Sequence, residues 1–246
     1  MHIKIWSADT GVCPVTLTGH TMAVTDIAIV DRGRNIVSVS KDGTAKLWHC
    51  GEAKCLGNII KVTSSINCCK IHTASSTLDL GEPQTKTSDL EINTEKRVLL
   101  IGCEDGSVYC IGIRSRKVLF ILEHESEVNC VAFLNPEQFI VGCQNGKICL
   151  YNVNRIPKPD NVWHESNSAI LCLLEHTEKG FFASRADGSV VFRSILDSSK
   201  YLALSGPNYD PVYDISFDGK HLYTSCRDAV IRKYVIKPII CKFEQQ

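Results

Sequence analysis

One short turn recurs along this chain and limits what it can become. Lys41-Asp42-Gly43-Thr44-Ala45-Lys46-Leu47-Trp48 returns in weaker form as Glu104-Asp105-Gly106-Ser107-Val108-Tyr109 and as Gln144-Asn145-Gly146-Lys147-Ile148-Cys149. Two more copies follow, Ala186-Asp187-Gly188-Ser189-Val190-Val191 and Arg227-Asp228-Ala229-Val230-Ile231-Arg232. Each copy ends one short apolar run and opens another. Asp-Gly and Asn-Gly are strong hairpin signals, because glycine accepts positive φ and the short polar side chain bonds the nearby backbone.

The turn acids and amide fall at 42, 105, 145, 187 and 228, with intervals of 63, 40, 42 and 41 residues. The long interval holds a polar stretch of 24 residues, 73–96, and without it the spacing matches the others. A period near 40 built from short strands marks an all-β, β-propeller-type repeat. Helical repeats of similar period are disfavoured, since runs such as 97–103 and 137–143 are short and rich in β-branched residues. The spacing predicts four strands per unit. In the first full unit they lie near 24–29, 34–40, 44–50 and 54–60, and in the second near 65–71, 97–103, 107–113 and 117–122. Further units span 127–165, 168–206 and 211 to about 243. Residues 3–7 and 11–17 read as the last two strands of an earlier unit. The expectation is one domain over 1–246, with five full four-stranded blades and part of another.

Composition excludes several functions. The chain of 246 residues is 44% hydrophobic and 22% charged, which fits a globular protein. Lys+Arg and Asp+Glu are both 27, a poor balance for a general nucleic-acid binder, whose affinity comes from neutralising phosphates. No apolar run reaches the ~18 residues of a membrane span. Met1-His2-Ile3-Lys4-Ile5-Trp6 lacks the layout of a signal peptide. The 13 cysteines include no Cys-x-x-Cys pair, and five of them lie in strand-like runs. They read as free core thiols in a reducing compartment, not as a disulfide framework or a zinc site. No metal, no cofactor and no small-molecule substrate is expected.

Gly19-His20, then Ser38-Val39-Ser40-Lys41-Asp42-Gly43, then Leu47-Trp48 resemble the WD-repeat family. In that family a carboxylate orients an imidazole, which is linked through a hydroxyl to an indole N–H. The resemblance assigns those roles here to Asp42, His20, Ser38 or Ser40, and Trp48. Each such bond satisfies a polar group whose burial unpaired would cost ~1–3 kcal/mol. Later units keep less: His124, Asn145 and Tyr151 in one, Asp187 with Arg193 in another, Asp228 with Tyr234 in the last. His20, Ser40 and Asp42 could also be scored as a hydrolytic triad. They recur with the repeat, however, and catalytic groups do not. No Gly-x-Ser-x-Gly, P-loop or dinucleotide fingerprint accompanies them.

Further residues, among them Asp31-Arg32-Gly33-Arg34-Asn35, Cys55-Leu56-Gly57, Ser64-Ser65-Ile66-Asn67 and Asp210-Pro211-Val212-Tyr213, are similar to the proteasomal ATPase-associated factors. The likeness is strongest over 1–70 and 207–236. It implies a non-enzymatic regulator of proteasome assembly that binds the C-terminal domain of an ATPase subunit of the regulatory-particle base. A cytoplasmic location is expected, with the nucleus as an additional alternative. The likeness implies a ring of about seven blades too, so a chain of some five and a half units reads as N-terminally shortened. An unclosed ring would be poorly soluble or oligomeric. The alternative is a substrate receptor of a ubiquitin ligase, whose usual Trp-Asp-x-Arg is absent: Trp48-His49-Cys50-Gly51 stands there.

The b–c and d–a turns of such a blade share one end. The acids they carry, Glu104, Glu123, Glu125, Glu127, Glu165 and Asp210, form the candidate partner-binding face. Residues 97–218 hold 11 Lys/Arg against 15 Asp/Glu, so this part of the chain is acidic. The insertion 73–96, with two lysines and five acids, reads as a mobile loop at the opposite end or, more sharply, as a phosphorylated or partner-specific arm.

Overall fold

The computed structural model describes residues 1–83, 86–176, 180–197, 201–204 and 209–236. The chain divides into two compact units, 1–131 and 132–246.

The first unit opens with a two-stranded sheet, β1 (His2–Ile5) and β2 (Val15–Thr18). A four-stranded antiparallel meander follows, of β3 (Val24–Val30), β4 (Asn35–Ser40), β5 (Thr44–His49) and β6 (Lys54–Lys61). The next meander is β7 (Ile66–Thr73), β8 (Arg97–Cys103), β9 (Ser107–Gly112) and β10 (Val118–Glu123). Apart from one 3-10 turn at Asp31–Gly33, the described residues contain no helix.

The second unit begins within β11 (Val128–Phe133), which with β12 (Gln138–Cys143), β13 (Ile148–Asn152) and β14 (Asn161–Trp163) makes another four-stranded sheet. Then come β15 (Ile170–His176), β16 (Gly180–Arg185), β17 (Val190–Ser194) and β18 (Tyr201–Leu204). Three further strands, β19 (Val212–Phe217), β20 (His221–Cys226) and β21 (Ile231–Val235), form the last sheet. The fourth strand expected there, beyond 236, lies outside the described residues.

These are the blades the 40-residue period predicts, with strand ends within a few residues of expectation. β4 is buried along its whole length, and β8 and β12 are buried except at their first residue. That explains the lack of polar alternation in their sequences, because a strand covered on both faces needs apolar or satisfied residues on each. In the first unit the core joins Val37, Val39 and Leu47 to Leu99, Ile101 and Ile111, all under 1% exposed.

A register shift recurs early in the first strand of four sheets, at Val24/Asp26, Ile66/Cys68, Ile170/Cys172 and Val212/Asp214. In the first unit the residues beside it tie adjacent sheets together. Thr25 Oγ1 donates to Ile66 O at 2.7 Å, and Asp26 Oδ2 accepts from Cys69 N at 2.9 Å.

The turn glycines are demanded by what passes over them. Gly43 has φ +74°, and a Cβ there would lie 2.4 Å from the carbonyl oxygen of Val62; Gly106, at φ +88°, would meet His124 O at the same distance. Chain leaving the β3–β6 and β7–β10 sheets runs across its own central turn, with Val62 N donating to Gly43 O and His124 N to Gly106 O.

The insertion 73–96, read from its composition as a loop, is anchored at several of its described residues. Asn35, fully buried in β4, donates through Nδ2 to Leu90 O and accepts through Oδ1 from Ile92 N. Glu91 is buried and bonds Arg116 at 3.0 Å and Thr94 Oγ1 at 2.9 Å. Asp79 pairs with Lys117 at 2.8 Å, and Glu95 pairs with Arg114. Polar composition misleads because the groups that satisfy the strap lie elsewhere in the chain.

Candidate protein-interaction face

The β4–β5 hairpin positions a four-residue relay. Its turn carries Asp42, and His20 hangs over it from the β2–β3 connection. His20 Nδ1 meets Asp42 Oδ2 at 2.9 Å, His20 Nε2 meets Ser38 Oγ at 2.7 Å, and Trp48 Nε1 donates to Ser38 Oγ at 2.8 Å. Ser40 stands outside the relay: its hydroxyl donates to Met22 O at 3.2 Å and accepts from Asp42 N at 3.1 Å. Burial alone would raise the Asp42 carboxyl. Hydrogen bonds from Thr44, Thr21 and His20 outweigh it and hold that carboxyl well below the usual carboxylate range. Ser38 is 0% exposed and His20 5%, so the imidazole and the hydroxyl it meets are buried inside the first unit.

The relay decays along the chain in a physically ordered way. Glu165 precedes Asp187 by the 22 residues that separate His20 from Asp42, and Arg193 follows Asp187 by the six that separate Trp48 from Asp42. Imidazole and indole are thus replaced by a carboxylate and a guanidinium. Glu165 pairs with Arg193 and with Arg185 at 2.8 Å, and Arg193 also lies 4.8 Å over the Tyr201 ring. Spacing alone could have revealed this exchange; reading Glu165 as a free surface acid missed it.

The six predicted acids therefore divide. Glu165 is compensated by two arginines. Asp210 accepts from Arg227 at 2.8 Å. Both belong to the second unit, and each is paired with arginine. The other four belong to the first unit, at one end of the β7–β10 sheet. Glu104 is exposed in the β8–β9 turn, and Glu123, Glu125 and Glu127 are exposed where β10 leaves the sheet. Backbone bonds hold these segments together: His124 N to Gly106 O at 3.0 Å, Glu104 N to Ser65 O at 2.9 Å, and Glu123 in register with Ser107. Burial pushes the His124 imidazole down from its ordinary value, against the pull of its bond to Gly106 O. It adds no charge to the acids around it at neutral pH. Among the described residues, no group of three or more His, Cys, Asp or Glu side chains could hold a metal ion.

Residues 11–49 and 116–152 match the WD domain, G-beta repeat. Over 185 residues, 75% of this chain and 47% of the relative, the sequence is 39% identical to "Proteasomal ATPase-associated factor 1" of Homo sapiens. The chain is a WD-repeat protein resembling the proteasomal ATPase-associated factors. This WD-repeat chain is also 30% identical to "26S proteasome regulatory subunit RPN14" of Saccharomyces cerevisiae, over 62% of its length and 38% of that relative. With "WD repeat-containing protein 55 homolog" of Drosophila willistoni it shares 20% identity over 96% of its length and 52% of the relative. It spans about half the length of the curated relatives it matches.

Proposed function

We propose that this WD-repeat chain is a non-enzymatic interaction module that regulates assembly of the proteasome regulatory particle. In this reading the acidic end of its first unit receives a basic surface on the C-terminal domain of one ATPase subunit of the base. Two lines support it: the named relatives are proteasome-associated factors and subunits, and Glu104, Glu123, Glu125 and Glu127 converge with no cation from His124. The second is the observation that carries the reading, because exposed carboxylates held together by backbone bonds supply field and register without ordering long side chains.

The test is co-purification with each proteasomal ATPase subunit separately, beside a variant carrying Glu123→Lys, Glu125→Lys and Glu127→Lys. One subunit should bind, and the variant should bind it about tenfold more weakly or worse. Equal binding by the variant removes the acidic face from the reading. Recovery of ubiquitin-ligase adaptors in place of any ATPase removes the proteasome.

A further inference from the structure

The far end of the first unit carries chemistry that this reading does not use. Where the strap crosses the β9–β10 connection it leaves a cleft of about 700 Å³, lined by Lys86, Thr87, Ser88, Arg114, Arg116 and Lys117 among others. The lining also holds two carboxylates, Glu82 and Glu91, and two of its four cations, Arg114 and Lys117, pair with Glu95 and Asp79. Ser88 is exposed there, and its next neighbour Asp89 is exposed as well. Its hydroxyl accepts a single 3.3 Å bond from Leu90 N. The fold thus asks little of that oxygen.

Arg114 is the group that stands ready. Its Nη1 pairs with Glu95, while its Nη2 donates at 3.2 Å to the neutral hydroxyl of Thr87, one residue from Ser88. A guanidinium bonded to a neutral acceptor gains when a dianion is placed beside it. Charge-assisted bonds are about twice as strong as neutral ones, and a phosphoserine brings about −1.5 to −2 charge with three acceptor oxygens.

We propose that Ser88 is a phosphorylation site for a serine/threonine kinase that selects acidic residues just after its target, and that the phosphate is received by Arg114. The sequence Ser88-Asp89-Leu90-Glu91 supplies acids one and three residues on. The γ-phosphoryl group of ATP passes to Ser88 Oγ. The bond from phosphorus to Ser88 forms as that to the β-phosphate oxygen breaks, ADP leaves, and the hydroxyl proton goes to the base of the kinase. Glu91 is held inside by Arg116, so the kinase reads the segment while the strap is lifted. The added charge then draws the strap back onto Arg114.

The full chain is incubated with Mg-ATP and a purified acid-directed serine/threonine kinase, and the phosphopeptides are located by mass spectrometry. One phosphate per chain is expected at Ser88, absent from Ser88→Ala, which removes an exposed hydroxyl and its 3.3 Å bond from Leu90 N. Arg116→Ala, which frees Glu91, should be modified faster. Amide exchange over 86–92 should slow by about tenfold on phosphorylation. That protection should vanish in Arg114→Ala and persist in part in Arg114→Lys, which keeps the charge without the fork. Phosphate incorporated only at other residues, or undiminished incorporation into Ser88→Ala, overturns the site. Equal protection in the phosphorylated wild type and Arg114→Ala overturns the receiving role of Arg114.

Discussion

Ser38 is the narrowest point of the β4–β5 hairpin's polar network, serving His20 and Trp48 at once. Ser38→Ala leaves an imidazole nitrogen and an indole N–H buried without a partner, a loss of about 1–3 kcal/mol for each. Ser40→Ala removes two part-buried bonds, to Met22 O and from Asp42 N, each worth about 0.5–1.5 kcal/mol. Urea unfolding of the two variants should show the larger midpoint drop for Ser38. Sequence alone could not choose between them, since residues two apart on a strand face the same side. Register chooses: Trp48 lies opposite Ile36, which brings the indole diagonally onto Ser38. Asp42 makes the same network sensitive to pH. Its folded carboxyl lies below the ordinary value of about 3.9. The stability it contributes is therefore complete above that value and lost as pH falls through the folded one. Thermal melts of the wild type and Asp42→Asn should converge as pH drops below about 4.

Among the elements, the strands follow from the turn signals, while the strap does not. Asp-Gly and Asn-Gly locate each central hairpin because their conformational demand is local. The strap was misread because Asn35 and Arg116, which anchor it, lie 55 and 25 residues from their partners Leu90 and Glu91. Arg116→Ala tests that anchoring. It strands a carboxylate whose side chain is 2% exposed, and removing one partner of a buried pair costs about 3–5 kcal/mol. The melting temperature should fall, and proteolysis should begin within 73–96. Gly43→Ala tests the turn, since the added carbon would sit 2.4 Å from Val62 O at a φ of +74°. Loss of several degrees in melting temperature is expected.

Over the whole molecule, chemistry is sorted by burial. The 12 cysteines among the described residues are free thiols, in line with the absence of paired spacings in the sequence. Burial pushes the Cys103 and Cys110 thiols up to about 12, with the carboxylate of Asp105 adding to the rise at Cys103 and the Ser107 bond opposing it. Only the thiolate is a good nucleophile. Among the described cysteines, titration of the native chain with an aromatic disulfide reagent should thus label Cys55 first, and Cys13, Cys50 and Cys172 more slowly. The buried set should respond only after denaturation. The candidate face shows the limit of reading charge from sequence. Six acids were visible, but that Arg185, Arg193 and Arg227 pair with two of them, Glu165 and Asp210, only folding reveals.

The passage of outgoing chain across a central turn, seen at Gly43, Gly106 and Gly146, also governs how the molecule ages. Asn145-Gly146 is the dipeptide that most readily closes to a succinimide and reopens as isoaspartate, because glycine's amide nitrogen can swing onto the neighbouring carboxamide. In the folded chain that nitrogen donates to Cys143 O at 3.1 Å, and the oxygen of Ser166 lies where a Gly146 side chain would begin. The attack is therefore suppressed for as long as the sheet stays closed. Isoaspartate at 145 becomes a clock for time spent unfolded.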